Sequence, residues 1–268
     1  MDGTTAIRLS SVSISYVLAG GGRYDAVAPV DVEVADGAFV SIVGPTGCGK
    51  STLLNVAAGL AAPTTGTASI YGETLAGINS RAGYLFQQDA LMPWKSALDN
   101  VAIGLEVQGV ARDEAVARSQ AMLVSVGLKA FGERYPHQLS GGQKKRVALA
   151  QVLVRGPKIL LMDEPFGPLD AQTRLIMGEL LSHLWQADRK AVMFVTHDLD
   201  EAIGLSDRVL VMSAGPQSRI IGDFAIDIER PRDLGEIRND ARFHRLHKEI
   251  WDVLRDEVRK TYGPEEAA

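Results

Sequence analysis

The sequence predicts an α/β fold built on a parallel sheet, with a mostly helical segment set into it. Three observations lead there. Apolar runs of strand length occur at residues 39–43, 159–162, 191–195 and 208–212. Helical patterns lie between them, and strand–helix–strand alternation at this rhythm joins parallel strands. A long Ala-, Val- and Leu-rich interval then separates the first run from the others.

The elements follow in order. Residues 7–14, 30–34 and 68–71 are alternating or short apolar runs bounded by Gly20 to Gly22, Asp36-Gly37 and Gly66, the pattern of strands and turns. From Leu53 the spacing becomes helical, and Gly59 is the expected stop. Residues 106–125 and 147–154 are helical stretches, and 173–186 is a helix between two of the core strands. The tail breaks at Arg230-Pro231-Arg232. A helix over about 242–262 then carries Phe243, Leu246, Ile250, Leu254 and Val258 on one face. The expected domains are a core with a β-rich subdomain (1–86 and 157–222), a helical subdomain (87–156) and a tail (223–268).

Composition narrows the function. Of 268 residues, 46% are hydrophobic and 23% charged, which is globular and not disordered. A net charge of −5 without a basic stripe argues against a nucleic-acid partner. One cysteine, Cys48, excludes an internal disulfide. The first residues lack the basic start and apolar run of a secretory signal. No run approaches the roughly 18 to 20 apolar residues that span a bilayer, so any membrane role is expected to be peripheral, through a partner.

The chemistry begins at Gly44-Pro45-Thr46-Gly47-Cys48-Gly49-Lys50-Ser51, which fits G-x-x-x-x-G-K-[ST] between an apolar strand and a helix. Glycines let the backbone wrap an anion with its N–H groups inward, and the helix adds the positive end of its dipole. Lys50 would reach the β- and γ-phosphates, and the Ser51 hydroxyl can ligate Mg²⁺. With Thr52 in the first turn, these residues are the expected ATP contacts. The run ending at Asp163-Glu164 supplies the other half: Asp163 for Mg²⁺ and Glu164 as a general base toward water. Alone, such a strand end is commonplace; beside the phosphate loop it becomes a site.

Leu139-Ser140-Gly141-Gly142-Gln143 decides the class. This pentapeptide, opening a helix, matches the signature of ABC (ATP-binding cassette) ATPases, and the resemblance covers almost the whole chain. It implies a RecA-like P-loop NTPase core, an N-terminal antiparallel β-subdomain and an inserted helical subdomain. It also implies an ATPase that works as a head-to-tail homodimer, with Ser140, Gly141, Gly142 and Gln143 acting on the nucleotide of the second copy. Gln87 resembles the Q-loop glutamine, which touches Mg²⁺ or the attacking water. Gly167-Pro168-Leu169-Asp170 resembles the D-loop, with Pro168 where many relatives have alanine and Asp170 at the dimer interface. His197 resembles the switch histidine beside the γ-phosphate. Tyr16 matches the aromatic that stacks on adenine, with Tyr24 as a rival and a core tyrosine as the plain alternative.

Leu91-Met92-Pro93-Trp94 is either an exposed docking feature for a permease's coupling helix or a tryptophan buried in the helical subdomain. Residues 86–94, Asp99-Asn100-Val101, residues 131–136 and the tail look most like the nitrate, sulfonate and taurine import ATPases. That resemblance implies two integral-membrane permease subunits, an external solute-binding protein and a peripheral location on the cytoplasmic face of the inner membrane. The alternatives are another small organic solute, a lipid, or a soluble ABC protein of translation or DNA repair. The last usually shows two cassettes or a long coiled-coil insertion, which this sequence lacks.

Overall fold

The computed structural model describes residues 4–262. Two sheets face each other across one helix. The first runs β2-β1-β4-β5: β1 (Thr5–Val17), β2 (Arg23–Ala35), β4 (Thr65–Ile70) and β5 (Glu73–Thr74), all antiparallel. The second runs β10-β9-β3-β8-β7-β6. There β3 (Phe39–Val43), β6 (Ala82–Leu85), β7 (Ile159–Asp163), β8 (Ala191–Val195) and β9 (Arg208–Met212) are parallel, and β10 (Ile220–Ala225) closes one edge antiparallel.

Burial explains the register. Every residue of β3 and β8 is buried, as befits parallel strands covered on both faces. Along β7 the period is two. Ile159 and Leu161 join the core that holds α1 (Lys50–Ala58) and the antiparallel sheet. Leu160 and Met162 join the opposite core, under α5 (Ala171–Ala187). Helix α1 ends before Gly59, where the sequence predicts.

The inserted segment is helical but divided differently from the expectation. Helices α2 (Ala97–Glu106), α3 (Arg112–Ser125) and α4 (Gly141–Leu153) enclose their own core around Val101, Leu105, Leu123 and Val147. The expected helix over 106–125 is broken because the chain turns at Gly109 (φ 84°) and the Val110 N–H bonds back to the Leu105 carbonyl. Residues 147–154 are the second half of α4 and its first residue beyond, the helix beginning at two glycines that carry no apolar signal.

Helix α6 (Leu199–Leu205) follows β8. The expected border between 222 and 223 falls inside β10, so the tail starts within the sheet. Helix α7 (Ala241–Tyr262) lays Phe243, Leu246, Ile250 and Leu254 against Ile203, Val209, Val211 and Ile226. The break before it is also buried. Arg230 pairs with Asp207 at 2.9 Å and stacks over Trp185. Arg232, 8% exposed, donates to the carbonyls of Ser206 (2.6 Å), Ile228 (2.8 Å) and Ile203 (3.0 Å). Burial lowers its pKa to about 10. Among the described residues no helix is long and apolar enough to cross a membrane.

Candidate functional site

The phosphate loop lies between β3 and α1, at the carboxyl end of the parallel sheet, where open α/β folds place their ligands. Gly49 sits at φ 94°, and a Cβ there would come within 2.5 Å of Val27 Cγ2 in the antiparallel sheet. Only glycine accepts both that backbone and that approach. No side chain caps α1 at Gly49, and an uncapped helix N-terminus suits an anion. Lys50 is 5% exposed, its Nζ donating to the carbonyls of Gly44 (2.8 Å) and Pro45 (3.0 Å). The ammonium is thus held in the ring of its own loop. The Cys48 thiol is buried beside it, and burial pushes its pKa up.

Two oxygen donors meet next to the loop: Ser51 Oγ donates to Asp163 Oδ1 at 2.7 Å. Burial pushes the Asp163 carboxyl up, and the Ser51 hydrogen bond pulls it back. Beyond the strand, Glu164 takes a left-handed backbone (φ 42°) and its N–H donates to the Val195 carbonyl at 2.8 Å. A non-glycine residue held there is strained, which marks functional turns. His197 Nδ1 lies 3.2 Å from Glu164 Oε2. That contact holds the Glu164 carboxyl below its ordinary range and the His197 imidazole above its own. Strands β7 and β8 are adjacent and parallel, so their ends bring residues 164 and 197 together.

The signature residues form a reciprocal helix cap. Ser140 Oγ accepts from the Gln143 N–H (3.3 Å), and Gln143 Oε1 accepts from the Ser140 N–H (2.9 Å). Ser140 and Gly141 are exposed, open to a second molecule. Asp170 caps α5, accepting from the N–H (2.9 Å) and the hydroxyl (2.7 Å) of Thr173. Gln87 is exposed and lines a cleft with Leu91, Pro93, His137 and Lys144. Trp94 is 74% exposed, which excludes its burial in the core of the helical subdomain. Tyr16 and Tyr24 stand directly opposite each other on β1 and β2, so their side chains share a face of the sheet. Tyr16 OH reaches Thr52 Oγ1 at 3.5 Å.

Two polar groups of the site are absent from the sequence reading. Tyr84 donates to Asn55 Oδ1 at 3.0 Å beside Asp163. Lys145, 2% exposed, donates to the Gln87 carbonyl and pairs with Asp89, each at 2.9 Å. It ties the signature helix to the segment after β6. In the sequence it belongs to a Lys-Lys-Arg run, which reads as a solvated face.

A family model described as ABC transporter matches residues 27–167. An uncharacterized ABC transporter ATP-binding protein of Methanocaldococcus jannaschii is 45% identical over 241 residues, 90% of this chain and 88% of that one. The taurine import ATP-binding protein of Pseudomonas aeruginosa is 42% identical over 254 residues, 93% of this chain and 96% of that one. A dimeric ATP-binding cassette solved in a post-hydrolysis state with ADP and phosphate superposes with a TM-score of 0.73 at 31% identity, over 83% of this chain and 100% of that one.

Proposed function

The chain belongs to the ABC transporter family as an ATP-hydrolysing subunit, and from that premise we propose that it drives uptake of a small solute of the nitrate, sulfonate or taurine type. The partners in this reading are two integral-membrane permease subunits and an external solute-binding protein. The chain sits peripherally on the cytoplasmic face of the membrane. One observation carries the proposal: a complete phosphate loop and an exposed, pre-capped signature turn lie on different subdomains of a chain 42% identical to a taurine import ATPase. Exposed Trp94 beside the cleft at Leu91 and Pro93 supports a groove for a permease helix.

In the proposed mechanism two copies clamp ATP head to tail. Gly44 to Thr52 of one copy hold the phosphates, with the Lys50 ammonium on the β- and γ-oxygens. Ser140, the Gly141 and Gly142 N–H groups and Gln143 of the other copy close on the γ-phosphate, and Asp170 lies at the seam. Tyr16 stacks on the adenine.

Mg²⁺ fits the residues present. Ser51 Oγ and the Asp163 carboxylate are adjacent hard oxygen donors, with Gln87 as the third candidate ligand. Among the described residues no cluster of three or more His, Cys, Asp or Glu forms a cage, so phosphate oxygens and water would fill the remaining positions. When bound, the ion would neutralise charge on the phosphates.

Glu164 acts as the base. Its carboxylate, held below its ordinary range by His197, accepts the proton of a water whose oxygen attacks the γ-phosphorus. The bond to the β–γ bridging oxygen breaks, and ADP and phosphate leave. His197, in contact with Glu164, would touch the γ-phosphate and hold the carboxylate toward the attacking water.

The test is purification of the intact complex from membranes through a tag on this chain, followed by mass spectrometry of the bound solute. An integral-membrane partner and a small anionic or zwitterionic solute are expected. A chain that hydrolyses ATP but never recovers a membrane partner would refute the transport reading and leave the ATPase standing.

A further inference from the structure

Two loops flank the Glu164 carboxylate, each at the end of its own strand: Gly167 to Asp170 after β7, and the loop around His197 after β8. A single side chain on α5 grips both. Arg174 lies one helical turn after Asp170, so it leans back over the start of the helix. Its Nη2 donates to the Leu169 carbonyl (3.1 Å) and its Nη1 to Asp198 Oδ2 (2.8 Å). Its Nε lies 3.6 Å from Glu201 Oε1.

Glu201 continues the connection. Its Oε2 accepts from the Thr196 hydroxyl at 2.6 Å, and Thr196 Oγ1 accepts from the Asp198 N–H at 3.1 Å. Asp198, on one side of His197, is therefore fastened directly through the guanidinium to the carbonyl that precedes Asp170, while Thr196, on the other side, is tied to Glu201, which meets the guanidinium as an ionic contact without a hydrogen bond. The side chains are sheltered, with Arg174 27%, Asp198 25% and Glu201 10% exposed. Burial pushes the Glu201 carboxyl up to about 7, which makes Asp198 the firmer ionic partner. An exposed ion pair contributes about 0 to 1 kcal/mol and constrains little. A planar fork with partners on two loops fixes their relative position.

We propose that Arg174 is a positioning residue for hydrolysis, locking the His197 loop to the Gly167–Asp170 turn so that the imidazole meets Glu164 in one geometry. This rests on the reading of Glu164 and His197 given above. A misplacement of about 1 Å can cost a reaction roughly 100-fold, so an effect on turnover is expected without one on nucleotide affinity.

The experiment compares Arg174→Gln and Arg174→Lys in the full chain. Arg174→Gln removes the charge and the fork; Arg174→Lys keeps the charge alone. Arg174→Gln is expected to lower kcat about tenfold or more with KM for ATP within about twofold, and Arg174→Lys to fall between. The second readout is the His197 imidazole titration by NMR. The chain has 5 histidines, and the His197 signal is the one missing from His197→Ala. Glu164→Gln lowers that titration, and in the Arg174→Gln background this drop is expected to be smaller because the contact with Glu164 is already loosened; Asp198 and Glu201, which also raise it, act alike on both sides of the comparison. Wild-type kcat in Arg174→Gln overturns the proposal. So does a kcat loss with the full wild-type drop on Glu164→Gln, which is the mark of a merely structural role. Glu164→Gln at the wild-type rate overturns the reading of the site itself, whatever Arg174 does.

Discussion

Glu164→Gln isolates one physical change. Glutamine keeps the length of glutamate and meets the left-handed backbone (φ 42°) at the same cost. The N–H of residue 164 still donates to the Val195 carbonyl. What disappears is a carboxylate able to take a proton. Loss of a general base typically costs about 10² to 10⁴ in rate, or about 3 to 5 kcal/mol of barrier. The grip on ATP is separate: Lys50 is held by Gly44 and Pro45, and Ser51 by Asp163, without Glu164. ATP affinity is therefore expected to hold while phosphate release slows at least about 100-fold and a nucleotide-bound dimer accumulates on gel filtration. Phosphate release at the wild-type rate would refute the assignment of the base.

The same substitution has a pH signature. Glu164 is held low and His197 high by their contact. Its stabilisation is complete between the ordinary carboxylate and imidazole values, roughly pH 4.3 to 6.5. It is lost as pH rises through the raised His197 value or falls through the lowered Glu164 value. The stability difference between wild type and Glu164→Gln should be largest inside that window and shrink above it; a difference that grows with pH would contradict the pairing.

Two further substitutions test other parts of the molecule. Lys50→Ala removes the buried ammonium from the phosphate loop and is expected to weaken ATP binding in calorimetry or to stop turnover; unchanged steady-state kinetics would refute its role. Arg232→Met leaves the carbonyls of Ile203, Ser206 and Ile228 without their buried donor. Each orphaned group costs about 1 to 3 kcal/mol, so the urea midpoint should fall clearly, and an unmoved midpoint would show that the tail break holds nothing.

Much of this was legible because some positions have almost no chemical freedom. The phosphate loop needs its glycines, and the strand end at Asp163-Glu164 needs its acids. The stripe on α7 and the buried parallel strands show plainly in periodicity. Strand β6 did not show, because Gly83 interrupts it; α4 crosses so closely there that a Cβ would meet Val152 at 2.5 Å. Strand β10 is a half-exposed edge with Gly222 and Asp223 in its middle, which reads as loop. Lys145, Arg174 and Arg232 were hidden for a common reason. Their partners are mostly backbone carbonyls and carboxylates brought up by other segments, and local patterning assigns a lone cation to water.

The mutual hydrogen bonds of Ser140 and Gln143 bear on the economy of the motor. Each satisfies the other while the chain stands alone, so the turn keeps its shape between cycles. The serine oxygen spends a lone pair on that cap, yet its proton stays available to whatever arrives. On the proposed reading, an approaching nucleotide meets a surface that requires no ordering, and the free energy of contact goes into drawing two molecules together.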